Sequence, residues 1–399
     1  MKATAGTTTA PAAVHASAAH APATWGAALR EVLLGSKLNV LLVFIPVALA
    51  LEWLHASEVW VFGAAALAIV PLAGLIGLAT EELSLRSGPG IGGFLNATFG
   101  NAAELLIAGF ALAAGLPDVV KASLSGSILG NILLVLGAAM FFGGLGRERQ
   151  TFSATGASAK TLMLFVAVGG LVMPAVFDLT VLGNLRETTP ELDQLSLITA
   201  LVLLAAYVLG LVFSLRTHSD VFSEVAEERA GGEAPSLTTV QATVVLLVAT
   251  ALTALVAETL VGAVEGAAHA LGMTDLFIGF IVVAVVGNAA EHFSAVLFAR
   301  RNQMQLAINI AKDSSVQIAL LVAPVLVIFS FLLGTPMNLV FHPFELFGLA
   351  LAVMAVALAS LDGESNWYEG ILLLALYVIV GVATYFVPAS TVAATQGAH

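Results

Sequence analysis

Apolar stretches long enough to cross a bilayer recur along almost all of this 399-residue chain, and nothing else in it restricts the fold so severely. A helix spanning the roughly 30 Å hydrocarbon core needs about 20 mostly apolar residues. Eleven stretches qualify, at about 37–54, 59–80, 91–115, 120–145, 159–177, 194–215, 238–260, 275–299, 305–333, 343–361 and 367–387. They are numbered below as spans one to eleven. Arg86-Ser-Gly-Pro-Gly-Ile-Gly-Gly93 and Arg147-Glu-Arg149 typify the breaks between them. The boundary is least distinct between Val240 and Met273, because Gly and Ala continue past Leu260. Apolar character is continuous and does not alternate, which argues against an outer-membrane barrel. Charged residues make up 10% of the chain, whereas a soluble domain carries about 25%. The sequence therefore predicts an all-α polytopic membrane protein.

A net charge of −12 has the wrong sign for nucleic-acid phosphates. Without cysteine there are no disulfides, thiolate metal sites or cysteine nucleophiles. Residues 1–28, rich in Ala, Thr and His, read as a flexible tail and not a signal peptide. Lys and Arg favour cytoplasmic loops, and here they orient the spans. With the N-terminus inside, Lys2, Arg30, Lys37, Arg86, Arg147, Arg149, Lys160, Arg216, Arg229, Arg300 and Arg301 are cytoplasmic. Only Lys121 and Arg186 lie opposite, and Lys312 falls within a span. The expectation is a multi-pass protein with a cytoplasmic N-terminus and an outer C-terminus, in the inner (plasma) membrane if the cell is prokaryotic. The lipid bilayer is its implied partner, and oligomerisation is left open.

Span three contains Gly100-Asn-Ala-Ala-Glu104 and span eight contains the identical Gly287-Asn-Ala-Ala-Glu291, 187 residues on. The same offset matches Ala97 with Ala284, Ala108 with Ala295 and Ser127 with Ser314. Chance matches are easy in Ala-rich sequence, but an Asn and a Glu in register are much harder to dismiss. Span three runs outward and span eight inward, so the repeats are inverted. The chain divides into a first transmembrane helix (29–58), repeat one (59–215, spans two to six), an acidic cytosolic linker (216–237) and repeat two (238–399, spans seven to eleven). Inverted repeats are a common transporter architecture, with the ion bound near midplane at their interface.

Asn101 and Glu104, like Asn288 and Glu291, are three residues apart and share a helix face. The neighbouring Ala and Gly residues let helices approach closely. An ionisable residue at the bilayer centre costs about 2.5–3.5 kcal/mol even on the lenient insertion scale, so a matched pair calls for a use. Ca²⁺ takes 6–8 oxygen ligands, carboxylates and amide carbonyls among them. Two Glu, two Asn and nearby carbonyls suit that ion, and two carboxylates neutralise it. Without metal, neighbouring carboxylates repel and at least one takes up a proton. The same pair thus carries Ca²⁺ or protons but not both, which is the basis of antiport.

These motifs, with Ser314-Ser-Val-Gln-Ile-Ala-Leu320, resemble the repeat signatures of the cation/proton exchangers (CAX) of the Ca²⁺:cation antiporter superfamily. The resemblance covers spans two to eleven. It implies a secondary Ca²⁺/H⁺ antiporter with Glu104 and Glu291 at the central site, Asn101 and Asn288 assisting, and Ser127, Ser314 and Gln317 on the following helices. It also implies that spans two and seven move as gates, and that Ca²⁺ and H⁺ are cargo with no cofactor. Lys312-Asp313 departs from the small residues expected before Ser314.

Each candidate has a plainer alternative. Asn101, Asn288, Ser127, Ser314 and Gln317 can serve as interhelical glue. His292 either relays protons to Glu291 or bridges helices. Glu81 and Glu82 at the end of span two, and Glu258 and Glu265 late in span seven, attract cations into vestibules or are ordinary interfacial charges. Asp313 reads as a neutral internal pair with Lys312 in preference to a third metal ligand. In the linker, Asp220, Glu224, Glu227 and Glu228 accompany an apolar stripe of Phe222, Val225 and Ala226. That segment is a solvated connection or, as the family implies, a regulatory acidic helix that senses Ca²⁺. A Na⁺-driven Ca²⁺ exchanger is the nearest rival within transport. An intramembrane metal-dependent hydrolase is the rival of another class, but no His-Glu-x-x-His motif or Walker loop is present.

Overall fold

The computed structural model describes residues 24–182, 189–213 and 236–388. These are almost wholly helical; the strands Gln150–Thr151 and Glu364–Ser365 form one short antiparallel pair. Among the described residues, seven helices are long and apolar enough to cross a membrane, or nine if each of two sharply bent pairs counts as one span. They include Glu58–Ser87, Pro117–Gly144, Thr239–Gly262 and Met304–Leu333, which overlap spans two, four, seven and nine. Spans one, three, eight and ten fall short of one long straight helix, for different reasons.

At span one, a short helix Trp25–Leu34 stands at 99° to Lys37–Trp53. Residues 29–34, grouped with the first span from sequence, therefore form a separate element. Its Ala28 and Val32 pack with Leu75, Ile76, Ala79 and Leu246, the inner faces of spans two and seven. Span ten is the short helix Pro343–Leu358. Spans three and eight are each interrupted at their motif, as described below.

The Gly-Pro-Gly break between spans two and three takes an unusual form. Helical hydrogen bonding runs on from Glu58 to Phe99, yet the Ser84 hydroxyl donates to the Gly92 carbonyl at 2.8 Å. Residues eight apart in a straight helix are about 12 Å apart along the axis. The helix is therefore sharply bent here, and a Cβ on Gly92 would run into the Ser84 backbone.

Burial separates centre from periphery. In the apolar window of span four 83% of residues are buried, against 22% in span six. Leu209, Leu247 and Leu332 project outward with more than 60% of their surface exposed, as lipid-facing side chains do. Span four crosses span eight with almost no gap. A Cβ on Gly126 would overlap the Phe280 carbonyl, and one on Gly279 would lie 2.9 Å from the Ala122 Cβ.

The ends of spans two and seven are clasped together. Glu82 Oε1 accepts from the Ser236 amide (2.9 Å) and hydroxyl (2.6 Å), and its Oε2 accepts from the Leu237 amide at 3.1 Å. Arg86 donates to the Leu237 carbonyl. Glu82, a vestibule candidate from sequence, is thus a buried anchor for the start of span seven.

Candidate cation site

Both repeated motifs break their helix at the same residue. The backbone leaves helical geometry at Asn101 (φ −110°, ψ 25°) and at Asn288 (φ −96°, ψ 13°). A 12-residue helix restarts after each, Ala102–Ala113 and Ala289–Arg300. Gly-Asn is a weak helix-forming pair, and a break leaves the last carbonyls of one helix and the first N–H groups of the next without helical partners. Glu104 and Glu291 fall in the first turn of the restarted helices, where those N–H groups favour an anion. The sequence picture of Asn and Glu on one continuous helix face is corrected accordingly. The repeat also extends to the following helices, where π-helical turns at Gly130–Val135 and Ile318–Val322 occupy matching positions.

Each motif is tied to the next helix of the opposite repeat. Asn101 donates to Gln317 Oε1. Asn288 Nδ2 donates to Ser127 Oγ at 2.9 Å, while its Oδ1 accepts from Asn131 Nδ2 at 3.0 Å. Asn131 Nδ2 also reaches Ser314 Oγ at 2.8 Å. A Cβ on Gly287 would sit 3.5 Å from Glu104 Cγ, so the first carboxyl side chain rests against the second motif. Glu104 and Glu291 lie within electrostatic reach of each other.

Three buried oxygens in this assembly, Glu104 Oε2, Glu291 Oε2 and Asn131 Oδ1, have no hydrogen-bond partner among the described residues. Buried acceptors without donors are expensive, and oxygen acceptors facing no donor are what a hard cation requires. No group of three or more His, Asp or Glu side chains converges among the described residues. The acids number two, and the remaining oxygens come from amides and hydroxyls.

Most candidates from sequence thus meet at one place: Asn101, Glu104, Ser127, Asn288, Glu291, Ser314 and Gln317. Asn131 was missed, although it follows Ser127 by one helical turn, a readable signal. His292 is half-buried with its Nε2 unpartnered among the described residues. Glu81, Glu258 and Glu265 are exposed. Asp220, Glu224, Glu227 and Glu228 lie outside the described residues.

Two expectations about lysines are overturned. Lys160, counted from sequence as a loop charge, is buried within Ala154–Phe177. It pairs with Asp313 at 2.7 Å and also donates to Asn309 Oδ1 at 2.8 Å. Lys312 does not pair with its neighbour; its Nζ is held by Ala157 O, Thr161 Oγ1 and Ser360 Oγ. Adjacent helical residues point about 100° apart, so Lys312 and Asp313 address different neighbours.

Known proteins share this architecture. The Ca²⁺/H⁺ antiporter of Aphanothece halophytica is 45% identical over 361 residues, 87% of this chain and 96% of that protein. The Ca²⁺/H⁺ antiporter ChaA of Bacillus subtilis is 42% identical over 343 residues, 86% of this chain and 96% of its own. The solved structure of native YfkE matches with a TM-score of 0.76 at 38% identity, covering 88% of this chain and all (100%) of that one. The H⁺/Ca²⁺ exchanger CAX, at 17% identity and a TM-score of 0.66 over 90% of this chain and 94% of its own, shares the fold. The sodium/calcium exchanger protein family matches residues 57–216 and 241–386, one block in each half of the chain. The chain belongs to the sodium/calcium exchanger protein family.

Proposed function

We propose that this protein is a secondary Ca²⁺/H⁺ antiporter in which Glu104 and Glu291 hold either a divalent cation or protons. The observation that carries this reading is the set of three donor-free buried oxygens from Glu104, Glu291 and Asn131. Asn101, Asn288, Ser127, Ser314 and Gln317 position that set, and a cation draws further oxygens from the helix breaks. Two carboxylates match one Ca²⁺ in charge, and the doubly protonated pair is equally neutral. The bare dianion is disfavoured in a low-dielectric setting, so an empty site resists crossing and the two fluxes stay coupled. The Ca²⁺/H⁺ antiporters named above, 42–45% identical along most of the chain, support the same cargo.

The test is Ca²⁺ uptake into proteoliposomes under an imposed pH gradient without Na⁺. Uptake that follows the proton gradient is the expected result; strict dependence on a Na⁺ gradient would assign the protein to Na⁺-driven exchange instead. The Lys and Arg distribution further supports a cytoplasmic N-terminus and an outer C-terminus. Tags after Met1 and after His399 should then be accessible from opposite faces, and two tags on one face would break the inverted-repeat assignment.

A further inference from the structure

Span nine carries a polar stripe that the exchange chemistry above leaves unused. Gln305, Asn309, Asp313 and Gln317 recur every fourth residue along the single helix Met304–Gln317. They share one face and climb it in steps of about 6 Å. The stripe begins shortly after Arg301, on the side where the basic residues gather. It ends at Gln317, which accepts from Asn101 of the central site. Polar contacts run along it. Gln305 Nε2 donates to Asn309 Oδ1 at 3.1 Å. Lys160 Nζ, from span five, bridges Asn309 Oδ1 at 2.8 Å and Asp313 Oδ2 at 2.7 Å. The ammonium is thus a cation seated on a carboxylate and an amide oxygen, the donor types a hard metal ion takes. Lys160 and Asn309 are buried, yet 39% of the Asp313 side chain is exposed. Gln317, one turn higher, is also partly exposed. A carboxylate facing hydrocarbon is costly, whereas a polar gap that leads to Asn101 accommodates it.

The repeat shows that this polar face belongs to one side of the molecule. The positions 187 residues before Asn309, Asp313 and Gln317 are Ala122, Gly126 and Gly130. There span four is sealed against span eight, and a Cβ on Gly126 would overlap the Phe280 carbonyl. The stretch of span three that matches Phe280 is not packed down in this way: Phe94 is 57% exposed, and Asn96 is exposed as well. One half closes the face with backbone contact, and the other lines it with polar side chains.

We propose that Asn309 and Asp313 form an entrance site for a divalent cation on the cytoplasmic side of the central pair, held by the Lys160 ammonium until the cation displaces it. The proposal rests on the paired-carboxylate reading and on the orientation given with it. A divalent ion brings twice the charge of the ammonium to the same two oxygens. Lys160 stands near the start of Ala154–Phe177, and helical side chains lean toward their N-terminus. Its flexible stem therefore reaches back toward water when the ammonium is displaced. The next polar group up the stripe is Gln317, about 6 Å further on, which delivers the cation to the motif of Asn101 and Glu104. A single carboxylate with a competing ammonium keeps the entrance weak, so it fills from the cytoplasm without trapping its cargo.

Two measurements on the full-length protein test this. In Glu104→Gln/Glu291→Gln protein the central pair no longer matches a divalent ion, so equilibrium binding of radiolabelled Ca²⁺ in detergent reads the entrance alone. Adding Lys160→Met should strengthen that binding about tenfold or more, the scale for removing a competing charge in contact. Adding Asp313→Asn as well should abolish it. With both glutamates intact, half-saturating Ca²⁺ on the cytoplasmic side should fall about threefold in Lys160→Met and rise about threefold in Asp313→Asn. Each substitution deletes the same ion pair. A pair that only ties spans five and nine would move both variants in one direction, and that result overturns the proposal. Lys160→Gln keeps a donor for Asn309 and takes the place of Lys160→Met should the latter not fold. Arg149→Gln removes a basic charge from the exposed pair with Glu364 and should stay parental. A shift equal to that of Lys160→Met would mark diffuse surface charge and also overturns the entrance. Absent Ca²⁺ binding in the Lys160→Met form of the double Glu variant overturns the entrance and leaves the central pair standing. Exchange that survives in Glu104→Gln or Glu291→Gln overturns the carboxylate reading beneath it.

Discussion

Glu104→Gln and Glu291→Gln should each lose Ca²⁺/H⁺ exchange by about 100-fold or more, the scale expected when one charged partner is deleted from a buried cluster. Each variant should still insert and purify as the parent does. Glutamine preserves the shape beside Gly287 and can still use its carbonyl oxygen as a ligand. It removes one of the two negative charges that match a divalent cation, and it removes a titrating proton site. A structural role would give the opposite pattern, with the neutral amide tolerated and transport retained. Uptake assays on reconstituted protein of verified monodispersity decide the matter; brisk exchange by either variant takes that residue out of the mechanism.

Gly126→Val should prevent recovery of folded protein. Span four meets the turn of span eight at this residue, and a Cβ would overlap the Phe280 carbonyl. Backbone, unlike a flexible side chain, has little room to move aside, and overpacking a tight core commonly costs about 1–3 kcal/mol or more. Gly126→Ala should lower the detergent unfolding midpoint by several degrees, at about 2–4 °C per kcal/mol for a large chain. Gly74→Ala, where a Cβ would meet nothing within 4 Å, is the matched control and should unfold with the parent. Thermal unfolding monitored by size-exclusion chromatography reads both. An undisturbed Gly126→Val protein would mean that spans four and eight are not packed backbone to backbone.

Much of the candidate site was legible because its key signal is local. Gly-Asn-Ala-Ala-Glu occurs twice in register, and identical pentapeptides impose the same backbone break at Asn101 and Asn288. The break itself was not foreseen, since Ala-rich surroundings favour helix and mask a weak Gly-Asn pair. Asn131 carried a sequence signal in its spacing from Ser127. Its value came from Asn288 and Ser314, 157 and 183 residues away. Glu82 looked like a mouth acid until Ser236 and Leu237 took both of its oxygens.

By itself the sequence determined that the chain lives in a bilayer, that it is helical, and that two halves carry one motif. These follow from apolar run length, continuous hydrophobicity and identity at a fixed offset, all properties of neighbouring residues along the chain. The tertiary structure alone decided which partners those residues meet. Asn101 finds Gln317, Lys160 rather than Lys312 takes Asp313, and Lys312 is left held by neutral oxygens. Helix faces 100° apart send adjacent residues to different neighbours, and the neighbour on each face is set by how the helices pack across the whole chain.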